Sequence, residues 1–132
     1  MKSTLTLLLL IFNLNWVQQQ NNLKEMLQGK WQLKTNKKET LSIKNNIIEH
    51  FYKGKLVERN HLEYNFQKSE TSFFDIKTNS FNFQTKAGPE DAFKLLEYNS
   101  EGKPIENIIL YVDKKNLEIG YDAGFVSFKK IK

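Results

Sequence analysis

Closely spaced turn signals constrain the fold of this chain more than any other feature. Clusters of Asn, Gly, Ser, Pro and Lys recur at short intervals, and the runs between them are rich in Phe, Tyr, Ile, Leu and Thr. Short runs of this composition are typical of β-strands. We predict eight to ten strands, over residues 30–35, 39–44, 47–53, 56–66, 71–77, 80–85, 92–98, 105–113, 116–121 and 124–130.

The connections between these strands determine how the strands pair. They are too short to hold a crossover helix, so consecutive strands must be antiparallel neighbours. A meander of this kind either closes into an up-and-down barrel or splits into a sandwich of two sheets. We predict an all-β fold, a closed antiparallel barrel with a short N-terminal helix, because closure removes the exposed strand edges. The sandwich is the alternative.

The first predicted strand begins at a tryptophan. Trp31 alternates with polar residues and shares a face with Leu33 and Thr35, which is the pattern of a half-buried strand. Gly29 precedes it at a point where the backbone must turn sharply or approach another segment closely. An indole removes roughly 150–250 Å² from water when it is buried. We therefore expect Trp31 to anchor the core.

A short helix is predicted just upstream of this strand. Leu23, Met26 and Leu27 have helical spacing, and Asn21 or Asn22 is a candidate N-cap. A helix of so few turns, followed only by strands, would close one end of the β structure.

The segment Gly29-Lys30-Trp31 resembles the Gly-x-Trp signature of the lipocalins and their calycin relatives. The likeness in overall shape covers residues 22–132, and the length is similar to that of small bacterial lipocalin-like domains. The resemblance implies a barrel closed at one end by Gly29 and Trp31, with a small apolar or amphipathic ligand inside. A tryptophan that plugs a barrel end without any ligand-binding role is the alternative.

Two features depart from the lipocalin pattern. Tyr111-Val112-Asp113 is the nearest counterpart of the second lipocalin motif. Lys129 and Lys130 stand in the last strand, where many lipocalins place an arginine over the tryptophan.

The N-terminal residues have the pattern of a secretory signal peptide. A short basic start is followed by an apolar run, residues 5–14, which is shorter than the roughly 20 residues needed to span a bilayer. We predict a signal peptide over residues 1–17, a barrel domain over residues 18–132, no transmembrane segment, and a secreted or periplasmic protein of bacterial origin. A retained N-terminal anchor is the alternative. The chain has no cysteine, so no disulfide stabilises it.

The positive charge of the chain does not have the pattern of a nucleic-acid site. The formal net charge is +5, but the basic residues form no run longer than a pair, and Arg59 is the only arginine. Nucleic-acid grooves cluster arginines with stacking aromatics, so no nucleic-acid partner is expected. We interpret the lysines as aiding solubility and protecting strand edges. Attraction to acidic partners or anionic surfaces is the alternative.

Turn lengths predict the register of the central strands. A two-residue turn at Asn45-Asn46 pairs Ile43 with Ile48, and a three-residue turn over residues 53–55 pairs Tyr52 with Leu56 and His50 with Glu58. Paired residues share a face, which gives a set of inward side chains on these strands. Leu117 and Ile119 belong to a separate alternating run near the end of the chain. We predict that the ligand contacts His50, Tyr52, Glu58, Leu62, Tyr64, Phe66, Leu117 and Ile119.

The sequence offers little for catalysis or for metal binding. It has two histidines and no cysteine, too few for a three-histidine zinc site, and no phosphate-binding loop. His50 facing Glu58 could act as a tuned acid or base, although such a pair is more often structural. We expect no enzymatic activity, no cofactor and no metal.

The first functional hypothesis is therefore an exported lipocalin-like protein that holds a small apolar or amphipathic ligand. The alternative is a protein-binding barrel in the cell envelope, an inhibitor, immunity or assembly protein with a packed interior. Its contacts would be exposed aromatics such as Phe51, Phe73 or Phe125, or the loops at residues 86–91 and 99–104. An interior void above about 300 Å³ favours the first hypothesis.

Overall fold

Ten strands and one short helix make up the part of the chain that the structure describes. The structure is a computed structural model, and it describes residues 18, 20–66, 72–75, 80–83, 93–121 and 124–132. The predicted signal peptide and the loop at residues 86–91 lie outside the described residues, as do the side chains of strand residues 72–75 and 81–83.

The elements follow one another closely. Helix α1 covers residues 20–27. The strands are β1 (Gly29–Leu33), β2 (Glu39–Lys44), β3 (Ile47–Tyr52), β4 (Lys55–Asn65), β5 (Ser72–Asp75), β6 (Ser80–Phe83), β7 (Lys94–Tyr98), β8 (Pro104–Val112), β9 (Asn116–Tyr121) and β10 (Gly124–Lys130).

Eight of the strands close into a barrel. Around the barrel the order is β1, β2, β3, β4, β7, β8, β9 and β10, with β10 pairing back to β1, and every pairing is antiparallel. β5 and β6 form a hairpin between β4 and β7 in the chain, and β6 pairs with β8 at Tyr111 and Val112. The prediction of a closed antiparallel barrel is confirmed, and the sandwich is excluded.

The register of β2, β3 and β4 was predicted only in part. Ile43 pairs with Ile48 across the Asn45-Asn46 turn, as predicted. The pairing of Tyr52 with Leu56 is wrong, because the next turn has two residues rather than three and Tyr52 pairs with Lys55. A bulge between His50 and Phe51 then shifts the register by one residue, so that His50 pairs with Glu58 after all.

Helix α1 closes one end of the barrel. Leu23 and Leu27 on the helix and Trp31 on β1 are all fully buried in one apolar core. The Trp31 indole Nε1 donates a hydrogen bond to the backbone oxygen of Leu27 at 2.9 Å, which satisfies the indole and fixes the end of the helix. Asn21 and Asn22 lie inside α1, so the prediction that either caps the helix is wrong.

Gly29 and Lys130 complete this end. Gly29 has a φ of +122°, and a Cβ built there would lie 2.6 Å from the backbone oxygen of Lys132, so both conformation and space favour glycine. The Lys130 ammonium lies 4.8 Å from the centre of the Trp31 ring. It also donates to the backbone oxygen of Met26 at 3.0 Å. A lysine thus lies over the tryptophan where many lipocalins have an arginine.

Candidate ligand-binding site

The barrel interior away from α1 holds a cavity of about 550 Å³. Alternation along the strands turns every second side chain inward, and most of those that border the cavity are apolar. Its mouth lies between three exposed side chains, Tyr52, Val57 and Tyr121. The apolar wall includes Leu33, Leu41, Ile48, Leu95, Ile119 and Val126.

One side of this wall carries a buried carboxylate with several hydrogen-bond donors. Glu97 on β7 is only 5% exposed. One of its oxygens accepts hydrogen bonds from His50 Nε2 at 2.9 Å and from Asn60 Nδ2 at 3.0 Å. Asn107 Nδ2 donates to the other oxygen at 3.2 Å. These four residues, here called the Glu97 cluster, come from the neighbouring strands β3, β4, β7 and β8.

The Glu97 cluster holds an ion pair. The hydrogen bond to Glu97 raises the pKa of His50; burial opposes this, but the net pKa stays above the ordinary value. Burial raises the pKa of Glu97, but the hydrogen bonds from His50 and Asn60 outweigh burial and bring the pKa below its usual range. These shifts favour the protonated form of His50 and the ionised form of Glu97, which attract each other on the cavity wall. His50, Glu97 and Asn107 border the cavity directly.

The predicted ligand contacts divide into two groups. His50, Tyr52 and Ile119 border the cavity. The other five do not: Leu62, Phe66 and Leu117 are buried in the apolar core, Tyr64 is half-buried, and Glu58 is exposed. Leu62 on β4 and Leu117 on β9 lie towards the closed end of the barrel, and Phe66 directly follows β4 at that end, so all three pack in the core.

Tyr64 and Glu58 have other surroundings. The Tyr64 hydroxyl accepts a hydrogen bond from Gln28 Nε2 at 2.9 Å and donates one to the backbone oxygen of Asn45, close to α1. Glu58 pairs with His50 in the backbone register, but the His50 imidazole bonds to Glu97 instead. The prediction that His50 and Glu58 pair is therefore confirmed for the backbone and wrong for the side chains.

Glu97, Asn60 and Asn107 were not predicted. Phe93, Leu95 and Glu97 are spaced by two in the sequence, which is a weak signal that Glu97 shares a face with two apolar residues. All three are buried in the structure. The neighbouring residue Leu96 points to the opposite face and is also apolar, however, so the sequence does not show which of the two faces is buried. Asn60 and Asn107 come close to Glu97 only through the pairing of β4, β7 and β8.

The aromatics proposed as protein contacts also differ from one another. Phe125 is 64% exposed, Phe51 is half-buried beside the cavity, and the side chain of Phe73 lies outside the described part of the chain.

Comparison of the chain with models of known families, with curated proteins and with solved structures gives no match. The site is therefore interpreted from its own geometry. Among the described residues, no helix is long and apolar enough to cross a membrane. In that same part of the chain, no group of three or more His, Asp and Glu residues is placed to hold a metal ion.

Proposed function

We propose that this protein binds a small apolar or amphipathic molecule inside its barrel, without catalysis, as the lipocalins do. The observation that carries the proposal is the cavity of about 550 Å³ with a mainly apolar wall. Ligand pockets in proteins typically measure about 300–1,000 Å³ and combine apolar walls with a few placed polar groups. The segment Gly29-Lys30-Trp31 supports the lipocalin comparison. Lys130 departs from the lipocalin pattern in residue type, but it places a cation over the Trp31 ring.

The wall favours a ligand with an apolar body and one polar group. Each 100 Å² of apolar ligand surface removed from water contributes roughly 2.5 kcal/mol before the costs of binding are subtracted. A polar ligand group would lie best against His50 or Asn107, where hydrogen-bonding atoms already border the cavity. Buried polar groups without partners are costly, so this contact would orient the ligand.

The proposal includes export. Residues 1–17 would be removed as a signal peptide, which would place the barrel in the periplasm or outside the cell. The apolar run at residues 5–14 supports this proposal. N-terminal sequencing of the protein from envelope and culture fractions tests it, and an intact Met1 in both fractions would contradict it.

Displacement of fluorescent fatty acids and of porphyrins tests ligand binding. The matched variants are Val126→Trp, which places an indole in the cavity wall, and Lys129→Trp, on an exposed position of the same strand. We expect saturable, displaceable binding that Val126→Trp weakens at least tenfold and Lys129→Trp leaves unchanged. No saturable binding by the wild type, or equal loss in both variants, would contradict the proposal.

The protein-binding alternative rests on the exposed side chain of Phe125. It requires a packed interior, so the cavity disfavours it. Pull-down from envelope extract with wild type and with Phe125→Ser tests it, since a specific partner should be lost in the variant.

A further inference from the structure

Exposed apolar side chains concentrate around the mouth of the cavity. Eight large apolar side chains are exposed among the described residues. Six of them lie within three residues of a connection at the open end of the barrel, the end opposite to α1. These six, here called the apolar rim, are Tyr52, Leu56, Val57, Ile105, Tyr121 and Phe125.

Exposed apolar residues that are scattered singly over a protein surface are ordinary. The apolar rim differs because its six residues lie together at one end of the barrel. Here they come from five of the eight barrel strands, β3, β4, β8, β9 and β10. The strands lie in two groups of neighbours, β3 with β4 and β8 with β9 and β10. The remaining two of the eight exposed apolar side chains belong to Ile47 and Ile131. Both lie at the end closed by α1.

Lysines accompany the apolar rim. Three connections at the open end are described, residues 34–38, 53–54 and 99–103, and together they contain five lysines and one glutamate. The Lys53 ammonium lies 5.7 Å from the centre of the Tyr52 ring, which places cation and aromatic side by side. Aromatic and aliphatic side chains bordered by lysine are typical of protein surfaces that enter the headgroup region of a bilayer.

We propose that the open end of the barrel docks on the surface of an anionic phospholipid bilayer. The apolar rim would enter the headgroup region, and the lysines of the three connections would face the phosphate groups. Each lysine near an anionic leaflet adds an attraction that weakens within a Debye length as salt rises. The docked orientation turns the cavity mouth towards the lipid.

A bilayer suits this surface better than a second copy of the chain. Two open ends facing each other would bring two lysine-rich surfaces together, and like charges repel. An anionic bilayer provides the opposite charge and an apolar layer below it. Docking goes beyond ligand binding, and it does not require the cavity to be filled. Loading of the ligand from the membrane, however, rests on the function proposed above.

Co-sedimentation with vesicles tests docking. The vesicles contain either equal parts of phosphatidylglycerol and phosphatidylcholine or phosphatidylcholine alone. Leu56→Ser with Phe125→Ser alters the apolar rim at positions that do not border the cavity, and Ile47→Ser with Ile131→Ser is the matched control at the closed end. All proteins have the same N-terminus, so differences among them report the altered surface.

A second pair of variants tests the charges. Lys37→Glu with Lys103→Glu reverses two charges at the open end, and Lys114→Glu with Lys115→Glu reverses two exposed charges at the other end. We expect binding to the anionic vesicles to fall on the order of tenfold or more in both open-end variants. Both controls should bind within about twofold of the wild type, and salt should weaken binding throughout.

Three results would overturn the proposal. They are equal binding to both kinds of vesicle, equal loss in the open-end and control variants, and a wild-type dimer in analytical ultracentrifugation that Leu56→Ser with Phe125→Ser dissociates. Displacement of the fluorescent ligand is measured in parallel without vesicles. Docking without ligand binding would contradict only the proposed function, and ligand binding without docking would contradict only this inference.

Discussion

The two ends of the barrel are built for different purposes. At the closed end, α1 covers an apolar core in which Leu23, Leu27 and Trp31 are fully buried. At the open end the wall surrounds a cavity of about 550 Å³ and carries the buried Glu97 with its donors. The same alternating strands form both ends. The difference teaches that a short chain without disulfides can concentrate its packing at one end and leave the other hollow.

The largest expected effect is a difference in how much a substitution at each end lowers the free energy of unfolding. Trp31→Ala removes a fully buried indole and its hydrogen bond to Leu27, which should lower the free energy of unfolding by about 3–5 kcal/mol. Ile119→Ala, on the cavity wall, should cost less, about 1–2 kcal/mol, because the removed atoms already face a void. Urea denaturation of both variants measures the difference. Equal losses would show that the two ends are packed alike.

Two glycines give the next comparison. Gly29→Ala at the closed end places a Cβ 2.6 Å from the Lys132 oxygen at a φ of +122°, so we expect a loss of about 2–3 kcal/mol. Gly54→Ala at the open end has a φ of +78° but no atom within 4 Å of the new Cβ, and should cost only about 1 kcal/mol. Thermal unfolding of the two variants checks this order, and a larger loss at Gly54 would contradict it.

The Glu97 cluster predicts a pH dependence of stability that arises at the open end. The pKa of His50 is raised, so its contribution is complete below about 6.5 and is lost as pH rises through the folded pKa. The pKa of Glu97 is lowered, so its contribution is present above about 4.5 and is lost as pH falls through the folded pKa. The stabilisation by the His50–Glu97 pair is therefore largest between about pH 4.5 and about pH 6.5. Because the His50 side chain is about a third exposed, solvent screens the pair, and we expect it to contribute roughly 1 kcal/mol to the free energy of unfolding.

Urea midpoints measured from pH 4 to pH 9 test this dependence. His50→Gln should remove most of the decline at the alkaline side, and His61→Gln, an exposed histidine, is the control. An unchanged profile in His50→Gln would mean that the ion pair adds nothing to stability.

The smallest effect concerns the lysine over the tryptophan. Lys130→Ala removes the cation from the Trp31 ring and the bond to Met26, and should cost about 0.5–1 kcal/mol. Lys129→Ala, one residue away and exposed, should change stability by less than about 0.5 kcal/mol. Loss of equal size in both variants would assign the effect to strand β10 as a whole rather than to the indole.

The fold was predictable from the sequence because the signals were local. Turn residues such as Asn45-Asn46 and the period of two in β9 fix short strands, and short strands with short connections leave few topologies. Ten strands were found close to their predicted places. The N-cap was not predictable in this way. An asparagine that precedes an apolar run can lie either at the start of a helix or inside its first turn, and the sequence pattern is the same in both cases.

The candidate site was predictable only where register could be followed along one hairpin. His50 and Tyr52 lie on β3 next to a readable turn, and Ile119 lies on a cleanly alternating strand. The bulge beside His50 has no clear sequence mark, since Leu56 and Val57 are both apolar. The contact of His50 with Glu97 depends on the pairing of β4 with β7 across the β5–β6 hairpin, which no local pattern encodes.

The most direct test of the central claim is a titration of the labelled protein with a ligand found in the displacement screen, followed by NMR. The account predicts that the largest chemical-shift changes fall on cavity residues, His50, Ile119 and Val126 among them, while the core around Trp31 and Leu117 changes little. Changes confined to the closed end or to the outer surface would contradict a ligand site inside the open half of the barrel.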